Sequence, residues 1–62
     1  MRFQIYCHED SRCSLKAVGQ ADVRQFDSIL AAIDAARELS DFGESLLTVY
    51  STIGTVILET TV

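Results

Sequence analysis

The sequence is short of basic residues: five Lys and Arg stand against nine Asp and Glu, for a net charge of −4. Phosphate backbones repel such a chain overall, which disfavours nonspecific nucleic-acid binding. No apolar run approaches the roughly 18 residues of a transmembrane helix. The first ten residues, MRFQIYCHED, lack an apolar segment followed by a small-residue cleavage site, so no signal peptide is expected. We therefore expect a cytoplasmic protein that does not enter a membrane.

Proline and tryptophan are also absent, and the sequence contains no internal repeat, linker or low-complexity tract. Hydrophobic residues make up 48% of the chain, which suffices for a core and argues against disorder. At this length residues 1–62 form one domain, which buries only about 60% of its unfolded surface. Because so small a core gains stability from oligomerisation, the composition favours self-association.

One helix is predicted over residues 26–43. Its apolar positions recur at steps of three and four and so share one face: Ile29, Ala32, Ile33, Ala36 and Leu39. Asp27 or Ser28 can cap the first turn, and Phe26 can fold back on that turn if Asp27 is the cap. Gly43 suits a left-handed C-terminal cap. This helix should cover one face of a sheet.

Strict alternation predicts strands over Met1–His8 and Cys13–Val18, joined by a polar turn over Glu9–Arg12. Burial selects the register that places six residues on one face, pairing Cys7 with Cys13, Ile5 with Leu15 and Phe3 with Ala17. Residues 21–25 either extend the second strand or form a loop that leads to the helix, and the pattern does not distinguish the two.

A second hairpin is predicted from Leu46–Ser51 and Thr55–Val62, with Gly54 in the turn. The expected pairs are Tyr50 with Thr55, Val49 with Val56 and Leu47 with Leu58. The fold class is therefore α+β, a ββαββ domain with a four-stranded, mostly antiparallel sheet and one helix on one face. The pattern does not determine strand order.

The sheet face away from the helix is the candidate interaction surface, since the sequence offers no second helix to cover it. We predict that five residues of this face form an exposed apolar patch: Tyr6, Val18, Leu46, Tyr50 and Ile57. Contiguous apolar surface usually marks a partner site. We therefore expect a binding or regulatory module that forms a homodimer or larger homo-oligomer through this face or an edge strand, or that binds another protein. The alternative, that these side chains are scattered singly, requires no partner.

Nucleic-acid binding through the same face is an alternative function. Arg2, Tyr6, Lys16 and Tyr50 are the residue types that contact phosphate and stack on bases. The low count of basic residues argues against it, because the expected electrostatic footprint is missing.

A thiol- or metal-dependent protein using Cys7 and Cys13 is a weaker alternative. Strand alternation sends Cys7 and His8 to opposite faces, so His8 cannot act as a base for Cys7 or converge with it on a metal. We expect two buried thiols, no catalytic residues, no metal and no cofactor, and hence no enzyme. A disulfide between the two cysteines is geometrically allowed, but a reducing cytosol would not preserve it.

One resemblance rests on Phe26–Leu39 and Leu46–Ile57. In the bacterial domain-of-unknown-function family numbered 2188, a helix with an A-I-x-A-A-R-like core follows one hairpin, and a final hairpin turns on a glycine. The residues that match this pattern are Ala32, Ile33, Ala35, Ala36, Arg37 and Gly54. The chain resembles that family over about its last two-thirds, and the resemblance implies a fold without an activity.

Overall fold

The computed structural model describes residues 2–40 and 45–62. Met1 and the predicted helix end, with its Gly43 cap, lie outside the described residues. Five strands and one helix follow in the order β1 (Arg2–Cys7), β2 (Cys13–Ala17), β3 (Val23–Phe26), α1 (Ile29–Ser40), β4 (Leu46–Tyr50) and β5 (Val56–Thr61). The fold is α+β, as predicted.

The sheet has five strands in the order β3-β2-β1-β4-β5, which corrects the prediction of four. The extra strand is β3, which the sequence left undecided because Val23, Arg24 and Gln25 are all exposed and show no apolar alternation. Three of its four strand pairs are antiparallel, as predicted, and the fourth, β1 with β4, is parallel, so the sheet is mixed. Helix α1 connects β3 to β4, and β4 then lies parallel to β1 in the centre of the sheet.

The β1–β2 hairpin has the predicted register. Its core-facing pairs are Phe3 with Ala17, Ile5 with Leu15 and Cys7 with Cys13. In the turn, the His8 N–H donates to the Arg12 carbonyl at 2.8 Å, and Ser11 adopts a φ of 70°. Apolar and polar residues alternate on both sides of a short polar turn, so only one register places all three of these pairs on the core face.

The predicted register of the second hairpin was wrong. The observed pairs are Tyr50 with Val56, Val49 with Leu58 and Leu47 with Thr60. The register shifts between Val49 and Tyr50, so Ile57 is the extra residue of a β-bulge. The turn is also one residue shorter than the predicted pairing implies, because Thr55 bonds Ser51 rather than Tyr50: the Ser51 N–H donates to the Thr55 carbonyl at 2.7 Å. Gly54 lies in the turn, as predicted, and has a positive φ of 86°.

Helix α1 begins later than predicted because Ser28, not Asp27, is its N-cap. The Ser28 hydroxyl accepts a hydrogen bond from the Ala31 N–H at 3.2 Å. Phe26 ends β3 and packs against the core, so it is not a staple before an Asp27 cap.

The helix packs on β1, β2 and β3 through small side chains. Ala32 and Ala36 are fully buried, whereas Ile29 and Leu39 remain 36% and 44% exposed although they belong to the predicted stripe. Ile29 and Leu39 lie near the two ends of the helix, whereas the helix approaches the sheet most closely at the two alanines. The buried hydrophobic core comprises Phe3, Ile5, Cys13, Leu15, Ala32, Ala36, Leu47 and Val49. Among the described residues, no helix is both long enough and apolar enough to cross a membrane.

Candidate functional site

The sheet face opposite α1, here called the open face, is organised by the central pairing of β1 with β4. This pairing sets Tyr6 beside Tyr50. Their rings stack with centroids 5.0 Å apart and an interplanar angle of 10°, a favourable aromatic geometry. The Tyr6 hydroxyl donates to Gln4 Oε1 at 2.7 Å, which fixes that ring further. Two of the predicted interface residues thus form one aromatic pair, with Tyr6 37% exposed.

A shallow hollow of about 270 Å³ lies on the open face. Three predicted interface residues, Val18, Leu46 and Tyr50, line it. Val56 also lines it and was missed, because the mistaken register assigned it to the core face. Ile57 does not line the hollow, since it occupies the bulge on the outer strand.

Charges of both signs lie on the open face. Gln4 pairs with Lys16 on one side and with Thr48 on the other, and Thr48 pairs with Glu59. These four residues form one row across four strands, with Lys16 and Glu59 at its ends and two uncharged residues between them. The four predicted nucleic-acid contacts, Arg2, Tyr6, Lys16 and Tyr50, share this face with Glu59. The face is consequently a mixed polar and aromatic surface rather than a basic patch.

His8 and Ser14 form a close polar contact at the hairpin end of the open face. His8 Nε2 lies 2.7 Å from Ser14 Oγ. Ser14 is 7% exposed and does not line the neighbouring hollow, whose walls include His8, Glu9 and Gln25. A serine nucleophile must reach its substrate, so we interpret the contact as a single hydrogen bond that satisfies the buried Ser14 hydroxyl.

The two cysteines lie on the other face, as alternation predicted. They are free thiols with their Sγ atoms 3.8 Å apart. Cys13 is 1% exposed, and burial, with a smaller contribution from Cys7, raises its pKa to about 11. Within residues 2–40 and 45–62, no three His, Cys, Asp or Glu side chains are grouped to hold a metal ion.

Strand β5 is one of the two edge strands of the described sheet, with β3 at the other edge, and all six residues of β5 are exposed. Its first three are large aliphatics, Val56, Ile57 and Leu58, with exposures of 49%, 55% and 42%. Leu58 pairs with the buried Val49, yet it is itself not covered. The sequence could not reveal this, because exposure of β5 depends on strand order.

Along β5, the backbone N–H and C=O groups of alternate residues point toward β4 or away from it. Ser45 and Val62 exchange both backbone hydrogen bonds, at 3.2 and 2.9 Å. Backbone groups alternate in direction along a strand, so Thr60 also points its N–H and C=O toward β4. Glu59 and Thr61 point theirs to the outer edge, where the described residues place no strand.

Comparisons with protein-family models, with curated proteins and with solved structures found no match. The resemblance to the domain-of-unknown-function family numbered 2188 stays a prediction.

Proposed function

We propose that the chain is a binding module that pairs with a second copy of itself through strand β5. The observation that carries the proposal is the exposure of all six residues of this strand at an unpaired edge of the described sheet. Natural edge strands are usually protected by lysine, proline, bulges or a covering element, because they otherwise pair with another chain. The bulge at Ile57 protects one end of β5, which leaves 58–62 to pair.

The outward backbone groups select the register of that pairing. An antiparallel two-fold pair must oppose residues that both point outward, which are Glu59 and Thr61. Opposing Glu59 with Glu59 would set two carboxylates directly across from each other, which is unfavourable. Opposing Glu59 with Thr61 avoids this and forms four backbone hydrogen bonds about an axis through Thr60. Leu58 then lies beside Val62 of the second copy, so both gain apolar contact.

This pairing joins two five-stranded sheets edge to edge. A two-fold axis perpendicular to the sheet keeps both open faces on the same side. The two Tyr6–Tyr50 pairs would then stand on one continuous surface, free to bind a further partner. We propose this non-enzymatic role in the cytoplasm, on the sequence grounds given above.

Sedimentation equilibrium with reductant present, over a concentration series, tests the proposal. Wild type should show a monomer–dimer equilibrium. Thr61→Pro removes an outward N–H that β4 does not use, and proline is tolerated at such an edge position. It should therefore abolish the dimer and leave the thermal midpoint of the monomer nearly unchanged. Thr61→Val is the matched control, because it keeps the N–H and the β-branched shape and should still dimerise.

Two outcomes would contradict this proposal. A monomer throughout the series would refute self-association. If Thr61→Pro associates like wild type while Tyr6→Ala or Tyr50→Ala weakens association, the dimer forms through the open face instead.

A further inference from the structure

Cys7 and Cys13 lie directly opposite each other in the β1–β2 hairpin, with their side chains on the same face of the sheet. His8 and Arg12 form a hydrogen-bonded pair beside them, with N–H to O at 2.8 Å. The next pair along the strands, Cys7 and Cys13, is therefore non-hydrogen-bonded, and the Cα atoms of such pairs are typically about 4.5 Å apart. That typical separation lies at the short end of the roughly 4.4–6.8 Å that disulfides span. The Sγ atoms are 3.8 Å apart and must approach to about 2.05 Å to form the bond.

The two thiols differ in access. Cys13 belongs to the buried core, whereas Cys7 is only half-buried. Both line a hollow of about 340 Å³ at the start of α1 whose other walls include Ile29 and Leu30. Desolvation keeps Cys13 protonated, because it raises the pKa of that thiol to about 11. The nucleophile in thiol–disulfide exchange is the thiolate, which the buried Cys13 does not readily form. Cys7 is also the more accessible thiol, so an incoming disulfide reacts with Cys7 first.

We propose that Cys7 and Cys13 form a thiol–disulfide exchange site for small disulfides, with Cys7 as the attacking thiol and Cys13 as the resolving thiol. Cys7 loses its proton and attacks one sulfur of the small disulfide, releasing the first small thiol and leaving a mixed disulfide on Cys7. Cys13 then loses its proton and attacks the Cys7 sulfur, releasing the second. Both protons end on the released thiols. The protein dithiol is oxidised by two electrons, and the small disulfide is reduced by two.

The hollow and the overall charge favour an uncharged disulfide. The walls of the hollow are largely apolar, and the acidic residue Asp27 also lines it. The chain carries a net charge of −4, which would repel an anionic disulfide. Oxidised 2-mercaptoethanol is therefore the appropriate probe, with its reduced form to set the redox ratio.

Equilibration of the wild-type protein in such a redox series, followed by acid quenching and intact-mass measurement, tests the proposal. At the oxidising end, the expected product has lost two hydrogens and carries no adduct, and excess reductant should reverse the change. Early time points should show the mixed disulfide on Cys7, located by peptide mapping. A protein that stays reduced at the oxidising end, or that accumulates only stable adducts, would overturn the proposal.

Single serine variants separate the two roles. Cys13→Ser keeps Cys7 but has no resolving thiol, so at the oxidising end it should accumulate the mixed disulfide. It should also react with iodoacetamide at least about tenfold faster than Cys7→Ser. In concentrated urea the two rates should converge, because the fold no longer buries Cys13. Equal rates in the native state would show that the assigned roles are wrong. If circular dichroism shows that either variant is unfolded, the wild-type time course alone tests the proposal.

Discussion

At the scale of single residues, Cys13 makes the fold sensitive to alkaline pH. Burial raises the pKa of its thiol from 9.0 to about 11 in the folded protein. Below pH 9 the thiol is neutral in both the folded and the unfolded state, and this contribution to stability is complete. As the pH rises from 9 toward 11, the unfolded state releases the proton first and therefore becomes favoured.

We expect the free energy of unfolding to fall by about 2 kcal/mol across that interval through Cys13 alone. Urea denaturation at a series of pH values, with reductant present, measures it. Other groups also titrate there, so the informative quantity is the difference from Cys13→Ala, which lacks the thiol. The stability gap between wild type and Cys13→Ala should shrink as the pH rises. A gap that stays constant would contradict the shifted pKa.

At the scale of elements, the contact between α1 and the sheet is set by Ala32 and Ala36, which are fully buried. Ala36→Leu should lower the free energy of unfolding by about 1–3 kcal/mol, because three additional carbons have no space between helix and strands. Ala31→Leu places the same side chain on the exposed side of the same helix and should change stability by less than about 0.5 kcal/mol. Chemical denaturation of both variants checks this, and equal losses would mean that the alanines do not set the packing distance.

The elements also show which parts of the fold local sequence can specify. The first hairpin was predictable to the residue, because alternation and a short turn leave one register that buries Ile5 and Leu15 together. The second was not, because the bulge at Ile57 shifts the pairing after Tyr50 and no local signal marks it. Strand β3 escaped prediction because its register on β2 places Arg24 rather than an apolar residue beside Leu15.

Strand order limited what could be predicted of the candidate site. The sequence placed Tyr6 and Tyr50 on one face correctly, but their stacking depends on β4 lying next to β1. That parallel pairing joins residues more than forty positions apart along the chain. It follows from how α1 crosses the sheet rather than from any short-range pattern. The exposure of β5 has the same origin, which is why Val56 and Leu58 were predicted to lie on the core face.

At the scale of the whole molecule, net charge and the charges of the open face together decide between a protein partner and a nucleic acid. Lys16 and Arg2 share this face with Glu59, and the chain as a whole carries a charge of −4. Counterion release requires several basic contacts to phosphate, and this face offers few. We therefore expect labelled single-stranded DNA and RNA to show no change in fluorescence anisotropy when titrated with wild type at low salt.

Two charge reversals test whether the face or the total charge is limiting. Glu59→Lys and Asp34→Lys each raise the net charge by the same amount, but Glu59 lies on the open face and Asp34 on the exposed side of α1. If the open face has the shape of a nucleic-acid site and lacks only charge, Glu59→Lys should bind with a strong salt dependence, whereas Asp34→Lys should not. Equal weak binding by both would reflect total charge alone. Salt-dependent binding by wild type itself would contradict our expectation and favour the Tyr6–Tyr50 surface as a nucleic-acid site.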